Sequence, residues 1–388
     1  MRVGIDITPL QVAVSGGIGM ATYRTLLALA NLGGLELTLY GTGHPFVPFS
    51  GEPLNLDLPM RMGGGPLARS NVAWLQYGVG PLLKADDTEV FWGTRQVVPR
   101  RTGGAATVVT LHDLWHARDP EQQPFVYRTV NRHVIESSIS RADLIVTVSA
   151  ATGAEARRIY GTPPERLRVV HHGVDASLYA PASTEAERAA DEAVLGALAV
   201  RRPYVLAMDA YNPRKNIRAV FDAIAQLGEE AGDLHVVVLG APRKTATELD
   251  VPALAVALGV RERVLLPGDV TPYELRALYR GAHAFVYPSL YEGFGMPVLE
   301  SMSCGTPVIT STTSSLPEVA GTAAILVEPT DAHALAHALR AILTDGELRA
   351  RLCAEGVARA AGFTWERTAE DMRQVFCDAV EIGRRSHR

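Results

Sequence analysis

The sequence predicts an α/β protein built from two doubly wound, Rossmann-like halves. Short apolar runs that suit buried strands alternate with longer segments of helical periodicity along most of the chain. The alternation is interrupted by a polar stretch at 179–200 and restarts at Tyr204. A length of 388 residues with 47% hydrophobic content is sufficient for two cores of ordinary size.

The first half contains apolar runs that predict parallel strands. These runs are 3–7, 35–40, 91–93, 107–111 and 144–148. Helices are predicted at 18–31 and 124–140, and the segment 43–66 is predicted to be irregular because it is rich in Gly and Pro. The segment 67–77 is amphipathic. It fits either contact with an acceptor or a membrane surface, or a buried helix in which Trp74 packs.

The second half repeats the pattern. Its predicted strands are 204–208, 235–239, 264–266, 284–287, 308–310 and 324–327. The polar stretch before them predicts a linker and a surface helix. We therefore expect an N-terminal domain at 1–180 and a C-terminal domain at 181–365.

The most informative stretch is 289–300, which predicts a glycine loop between a strand and a helix. Glu292 lies in the loop, and Glu300 lies inside the helix that the loop opens. A carboxylate can accept hydrogen bonds from the vicinal hydroxyls of a ribose or a sugar ring, and a helix N-terminus attracts phosphate. This layout suits a nucleotide sugar. For Glu300 a second interpretation stays open, in which it only offsets the helix dipole.

Two cations follow the first strand of the second half. Arg214 and Lys215, within Asn212–Asn216, precede a predicted helix at the carboxyl end of that strand, where doubly wound sheets bind their ligands. In the first turn of a helix both side chains would oppose the dipole. This conflict favours a functional interpretation, namely neutralisation of a diphosphate.

His112 follows the run 107–111, at the same kind of position in the first half. Two other interpretations stay open: His112 with Asp113 could cap a turn, or His112 with His116 could bind a metal. Gly16–Gly19 could suggest a dinucleotide fingerprint, but Thr22 occupies the place of the third glycine.

The stretch from Glu292 to Glu300, with Pro-Arg-Lys-Asn upstream, resembles the paired-glutamate signature of the retaining glycosyltransferases of family 4. The resemblance implies the GT-B fold: two Rossmann-like domains face a central cleft, and a C-terminal helix at about 366–388 returns to the N-terminal domain. It also implies transfer of a sugar from a nucleoside-diphosphate sugar to an acceptor hydroxyl with retention, without a metal or a cofactor.

The resemblance implies a role for each site residue. Arg214 and Lys215 bind the diphosphate, Glu292 the sugar, Glu300 the ribose, and His112 orients the sugar. Donor-binding backbone is implied at Gly16, Gly17, Val270, Gly293, Phe294, Gly295 and Met296. Many relatives carry a glycine, often with an arginine, where this chain has Met208-Asp209, so that arginine contact is not carried over.

Composition limits the partners and the compartment. The net charge of −5 gives no general case for nucleic acid binding. Three scattered cysteines predict neither disulfides nor a thiolate metal site, and no apolar run is long enough to span a membrane. No Asp-x-Asp pair occurs, so no metal is expected. We expect a cytoplasmic enzyme, with peripheral contact to the inner membrane face left open.

The resemblance also suggests the substrates. GDP-mannose is the leading donor, from the general resemblance to Pro-Arg-Lys-Asn proteins of surface-polysaccharide pathways, and UDP- and dTDP-sugars stay open. The acceptor is a glycan, a glycolipid or another small molecule. Two alternative functions also stay open: a nucleotide-sugar epimerase of the same fold, and a non-catalytic protein that binds sugar nucleotides.

Overall fold

The computed structural model describes residues 1–11, 16–48, 50, 52–118, 132–242 and 248–386. The chain forms two compact units. Unit 1 is Met1–Gly173 with Trp365–Arg388, and unit 2 is Val174–Thr364. The domain bounds predicted from the sequence stay a prediction.

Unit 1 contains a parallel sheet of seven strands. The strands are Arg2–Asp6 (β1), Glu36–Gly41 (β2), Met60–Met62 (β3), Val90–Gly93 (β4), Ala106–Leu111 (β5), Leu144–Thr147 (β6) and Leu167–Val169 (β7). Their order is β3-β2-β1-β4-β5-β6-β7. The sequence did not predict β3, which lies in the segment expected to be irregular, or β7. Both are short edge strands without a fully buried residue, so neither shows an apolar run.

Helices connect these strands. They are Gly17–Leu32 (α1), Asn71–Ala73 (α2), Gly80–Ala85 (α3), Trp115–Arg118 (α4), Arg132–Arg141 (α5) and Ala150–Tyr160 (α6). Residues 124–131 of the predicted helix 124–140 lie outside the described residues. Trp74 begins a π-helical turn, Trp74–Gly78, and is 2% exposed, which favours the packing interpretation for this side chain.

Unit 2 contains a parallel sheet of six strands, each at a predicted position. The strands are Tyr204–Met208 (β8), His235–Leu239 (β9), Val264–Gly268 (β10), Ala284–Tyr287 (β11), Val308–Ser311 (β12) and Ile325–Val327 (β13). Their order is β10-β9-β8-β11-β12-β13. The prediction succeeds because the central strands are buried on both faces and therefore appear as continuous apolar runs.

The helices of unit 2 flank this sheet. They are Glu185–Ala197 (α7), Ile217–Leu227 (α8), Val251–Ala257 (α9), Pro272–Gly281 (α10), Met296–Ser303 (α11), Leu316–Ala320 (α12), Ala332–Thr344 (α13) and Gly346–Ala360 (α14). In α8 seven residues on one face are buried, including Phe221 at 0% exposure. This face forms part of the core of unit 2 together with α13.

The last helix, Trp365–Ser386 (α15), belongs to unit 1. Its buried side chains, Ala369, Met372, Val375, Phe376 and Ala379, join the core formed by β1, β4 and α1. The ring centroids of Phe376 and Trp92 are 6.0 Å apart. The expected return of the C-terminal helix to the N-terminal part of the chain is therefore confirmed.

Each sheet has one point at which the chain reverses the direction of strand addition. In unit 1 this point lies at β1, between β2 and β4, and in unit 2 it lies at β8, between β9 and β11. Doubly wound sheets bind ligands beyond the carboxyl ends of the strands at such points. Within the described residues, no helix has the length and apolarity needed to cross a membrane.

Candidate active site

The loop after β8 places Arg214 and Lys215 in a short turn before α8. Pro213–Lys215 forms one 3-10 turn, and Asn216 follows at φ +58 as the N-cap residue of α8. The helix therefore begins at Ile217, after the cations. The expectation that they occupy its first turn is wrong, and the argued conflict with the helix dipole does not arise.

Hydrogen bonds join this loop to the loop after β11. The carbonyl oxygen of Arg214 accepts a hydrogen bond from the Leu290 amide at 2.8 Å, and the Ser289 hydroxyl oxygen lies 3.1 Å from it. The Asn216 amide nitrogen donates to the carbonyl oxygens of Pro288 and Pro329 at 3.2 and 2.7 Å. The lysine motif and the glutamate motif thus form one structural assembly at the switch point of unit 2.

A buried ion pair lies at the centre of this assembly. Lys215 Nζ is 2.7 Å from Glu292 Oε1, and the two side chains are 8% and 9% exposed. Nζ also donates to the Tyr287 hydroxyl at 2.6 Å. The same carboxylate oxygen accepts hydrogen bonds from Tyr287 at 2.9 Å and from the Ser289 hydroxyl at 2.7 Å.

The surrounding charges keep Glu292 ionised. Burial by itself raises the pKa of a carboxyl group, but the positive charges of Lys215 and Arg214 outweigh that effect here. Hydrogen bonds from Lys215 and Ser289 act in the same direction, so the pKa of Glu292 lies below its usual value. At neutral pH the pair is a carboxylate beside an ammonium group.

The loop after β12 supports the backbone of Glu292. The Ser314 hydroxyl accepts a hydrogen bond from the Glu292 amide at 2.9 Å, and the buried Ser315 hydroxyl lies 2.7 Å from the Phe294 carbonyl oxygen. The sequence analysis missed both serines. The sequence does contain a signal for them, because a polar run follows the apolar strand β12, which pairs with β11, the strand before Glu292.

Glu300 lies in α11, which Gly295 opens at φ +109. A side chain at Gly295 would be strained at this φ, and its Cβ would lie 2.8 Å from Leu316 Cδ2. Glu300 Oε2 accepts a hydrogen bond from the buried Tyr279 hydroxyl at 3.2 Å. The two glutamates thus have different local partners: an ammonium group for Glu292 and a phenol for Glu300.

Met208-Asp209, the departure noted in the sequence, has a backbone explanation. Asp209 has φ +53, a conformation that glycine adopts without strain and that aspartate tolerates better than most residues. A glycine in relatives would therefore suit the same turn.

In unit 1, His112 is half-buried at the end of β5. Its Nε2 lies 2.9 Å from the Thr94 carbonyl oxygen, which requires the hydrogen on Nε2 and leaves Nδ1 as an acceptor. The His172 ring stacks on it at 5.5 Å, and Trp365 lies 5.8 Å beyond His172. Burial lowers the pKa of His112, so the imidazole is neutral at pH 7.

A buried carboxyl group, which the sequence analysis missed, is connected to His112 through Thr94. Asp6 is 0% exposed at the end of β1 and accepts a hydrogen bond from the Thr8 amide at 2.9 Å. The Thr94 hydroxyl donates to its carbonyl oxygen at 2.9 Å. Burial raises the pKa of Asp6 to about 6.

The alternatives for His112 can be compared with the local geometry. Asp113 Oδ1 accepts the Trp115 amide at 3.2 Å, so the aspartate caps the turn while the histidine bonds elsewhere. His116 Nε2 lies 3.0 Å from the Tyr160 hydroxyl. No group of three or more His, Cys, Asp or Glu side chains suited to a metal occurs among the residues that the structure describes.

The remaining predicted residues lie at element ends. Gly16 is the N-cap of α1 and Gly17 its first residue, so the glycines open the helix instead of preceding it. Val270 is half-buried and follows β10, an edge strand. Gly293, Phe294 and Met296 lie in the loop and first turn before Glu300. None of these placements tests a ligand contact.

Two protein families match the chain in adjacent regions. The model described as "Glycosyl transferases group 1" matches residues 196–358, and the model described as "Glycosyltransferase Family 4" matches residues 15–178. The two matches fall largely within unit 2 and unit 1, respectively.

Individual proteins are similar over most of the chain. An O-antigen chain mannosyltransferase B of Escherichia coli is 35% identical over 285 residues, 71% of this chain and 71% of the relative. A D-inositol 3-phosphate glycosyltransferase of Salinispora tropica is 31% identical over 75% of this chain and 63% of the relative. Anabaena Alr3699/HepE, solved with UDP-glucose, superposes with a TM-score of 0.74 at 17% identity, over 97% of this chain and 100% of that protein. The structural similarity confirms the predicted GT-B fold.

The ion pair predicts how stability depends on pH. Because the folded-state pKa of Glu292 is depressed, its contribution is fully present above the unfolded value of about 4.3 and is lost as pH falls through the folded value. At neutral pH we expect Glu292→Gln to be less stable by about 3 kcal/mol, because it leaves Lys215 buried without a counter-charge. This difference should begin to shrink below about pH 4.3, where the unfolded carboxyl takes up a proton, and should disappear below the lower folded-state pKa, where the native carboxyl is neutral too.

Urea unfolding of both proteins across this pH range measures the difference. Glu262→Gln, at an exposed carboxylate of the same unit, is the control and should show no such convergence. A difference that stays constant or grows towards low pH would contradict the assigned ion pair.

Proposed function

Because the chain belongs to glycosyltransferase family 4, we propose that it transfers a hexose from a nucleoside-diphosphate sugar to an acceptor hydroxyl with retention of anomeric configuration. The observation that carries the proposal is the buried Lys215–Glu292 pair at the switch point of unit 2. A buried charge pair is costly and contributes little to stability, so its presence at a ligand-binding edge supports a functional role.

We assign the donor contacts as follows. Lys215 and Arg214 bind the diphosphate, and the backbone from Gly293 to Met296 adds N–H groups. Glu292 binds the sugar hydroxyls, and Glu300 binds the ribose. Gly16, Gly17 and Val270 contribute backbone contacts to the donor, and the neutral His112 hydrogen-bonds to the transferred sugar.

This arrangement suits the charges that develop during transfer. The transition state carries positive charge on the sugar and growing negative charge on the departing diphosphate. An ammonium group held by a carboxylate has a fixed position, so it stabilises the leaving group without reorganisation. The front-face route, in which the acceptor attacks on the side from which the diphosphate leaves, needs no carboxylate at the anomeric carbon, and we favour it.

GDP-mannose is the proposed donor. Support comes from the similarity to the O-antigen chain mannosyltransferase of Escherichia coli, whereas the UDP-glucose complex of the Anabaena protein keeps UDP-sugars in consideration. The acceptor is a glycan, a glycolipid or a small molecule.

The first test is a donor panel with product analysis. GDP, UDP, dTDP and ADP are screened by thermal shift, where a ligand at ~100 times its Kd stabilises by about 2.7 kcal/mol. The matching nucleotide sugars are then incubated with and without candidate acceptors, and all products are identified by mass spectrometry. We expect GDP to stabilise the protein and GDP-mannose to yield a mannosylated acceptor.

Other outcomes distinguish the alternatives. A shift with UDP or dTDP but not GDP would overturn the mannose assignment. Conversion of the donor into an isomer without an acceptor would indicate an epimerase. Binding of a nucleotide sugar without any product would indicate a sensor.

The two glutamates should separate kinetically. Glu292→Gln replaces a charge-assisted hydrogen bond that strengthens in the transition state, so we expect kcat to fall at least about tenfold with a small change in nucleotide Kd. Glu300→Gln should mainly raise the nucleotide Kd. Steady-state kinetics and calorimetric titration provide the two readouts, and equal small effects in both variants would contradict the division of roles.

Lys215 should replace a divalent cation at the leaving group. We expect activity to persist in excess EDTA, and Lys215→Ala to lower turnover about a hundredfold, which corresponds to about 2.7 kcal/mol of transition-state stabilisation. Lys84→Ala, at an exposed lysine on α3, is the control and should keep full activity. Loss of activity in EDTA with recovery on adding Mg²⁺ or Mn²⁺, or normal turnover in Lys215→Ala, would reject the mechanism.

A further inference from the structure

Tyr287, the last residue of β11, contacts both charges of the buried pair. Its hydroxyl is 2.6 Å from Lys215 Nζ and 2.9 Å from Glu292 Oε1. The side chain is 2% exposed, and its ring stacks on Phe285 with centroids 5.4 Å apart. The tyrosine is therefore fixed by packing and not by the hydrogen bonds alone.

The chemistry of the groups determines the direction of each hydrogen bond. An ammonium group can only donate, so the Tyr287 oxygen accepts from Lys215. The single hydroxyl hydrogen must then point to Glu292 Oε1. Burial and the neighbouring carboxylate raise the pKa of Tyr287 well above its usual value, so this hydrogen is retained.

Ser289 completes the contacts of the same carboxylate oxygen. Its hydroxyl is 2.7 Å from Glu292 Oε1, and 3.1 and 3.2 Å from the carbonyl oxygens of Arg214 and Tyr291. One hydrogen can serve only one of these acceptors at a time, and the charged oxygen is both the nearest and the strongest. Ser289 itself is 0% exposed.

These bonds use only part of the hydrogen-bonding capacity of Lys215 and Glu292. Glu292 Oε1 accepts from Lys215, Tyr287 and Ser289, while no residue within the described part of the chain donates to Oε2. Lys215 uses two of the three hydrogens of its ammonium group, on Tyr287 and Glu292. One N–H donor and one carboxylate oxygen are left for a ligand.

We propose that Tyr287 and Ser289 are positioning residues that hold Glu292 Oε1, so that Glu292 presents Oε2 to a hydroxyl of the donor sugar and Lys215 presents one N–H to the diphosphate. This inference rests on the proposed function and adds the orientation of its two charged groups. Without the tyrosine hydroxyl, the third N–H of Lys215 could turn towards Oε2 of Glu292. The pair would then be misaligned for the transition state, in which its contacts to the sugar and the diphosphate are strongest.

The test removes each hydroxyl without removing the side chain. Tyr287→Phe and Ser289→Ala should each lower kcat about tenfold while the KM for the donor changes little, because a hydrogen bond to a charged group is lost and neither residue touches the nucleotide. Tyr204→Phe is the matched control. Its hydroxyl is equally buried and donates to the Leu278 carbonyl oxygen at 2.7 Å, but it lies at the start of β8, the opposite end of the sheet from the site.

A second readout does not depend on activity. Carbon-13 NMR of the glutamate-labelled protein follows the titration of the Glu292 carboxyl, assigned by the signal that Glu292→Gln removes. Tyr287→Phe and Ser289→Ala should move its titration to higher pH, since each removes a bond that favours the carboxylate, and Tyr204→Phe should leave it unchanged.

The outcomes separate this proposal from the proposed function. An unchanged titration in both variants would overturn the positioning role, even for an active transferase. A shift in both variants of a protein that transfers no sugar would support the positioning role and reject the transferase assignment. Equal loss of kcat in Tyr204→Phe and Tyr287→Phe would show a general effect of packing and overturn the proposal.

Discussion

The buried contact between Lys215 and Glu292 is the interaction around which the loops at the switch point of unit 2 are arranged. Removing two opposite charges from water costs several kcal/mol for each ion, and that cost is offset only by accurate geometry and further hydrogen bonds. Three loops supply them. The loop after β8 provides the ammonium group, the end of β11 and the loop after it provide the carboxylate and its two hydroxyl donors, and the loop after β12 holds the backbone of Glu292. Parallel strands make this convergence feasible, because all their carboxyl ends lie at one edge of the sheet.

The side chains at the switch point of unit 1 are held in place by hydrogen bonds to the backbone and by ring stacking. There the polar groups are neutral or share hydrogen bonds with the backbone: His112 bonds to the carbonyl oxygen of Thr94, whose hydroxyl bonds to the backbone of Asp6. Aromatic rings take the place of counter-charges, with His172 between His112 and Trp365. The two units thus share a topology but differ in electrostatics. Unit 2 fixes charged groups with other charges, whereas in unit 1 burial raises the pKa of Asp6 and lowers the pKa of His112.

The sequence predicted the strands and motifs of unit 2 well because the physical signals are local. A strand buried on both faces is a continuous apolar run, and Arg214-Lys215 and the two glutamates stand out beside glycines and prolines. Other features leave no local signal. Met60–Met62 and Leu167–Val169 are edge strands that are little buried, so their residues resemble loops. Tyr287 could be read only as the last apolar residue of a strand, since its hydroxyl gains a role only when β8 and β11 lie side by side. Arg214 was predicted in the first turn of α8 but lies in the turn before it, because the left-handed backbone of Asn216 makes the helix begin at Ile217.

The chain path through α15 has a consequence for biosynthesis. Unit 2 is continuous in sequence, whereas the core of unit 1 includes Met372, Val375 and Phe376, about 200 residues after the end of its first segment at Gly173. During synthesis from the N-terminus, unit 2 can bury its apolar surface while the ribosome is still elongating, but unit 1 cannot close its core before the last helix leaves the exit tunnel. Unit 1 is therefore completed after unit 2. Until α15 packs, the apolar surface of the seven-stranded sheet beneath it stays exposed. Exposed apolar surface of this kind favours aggregation, which chaperones counteract.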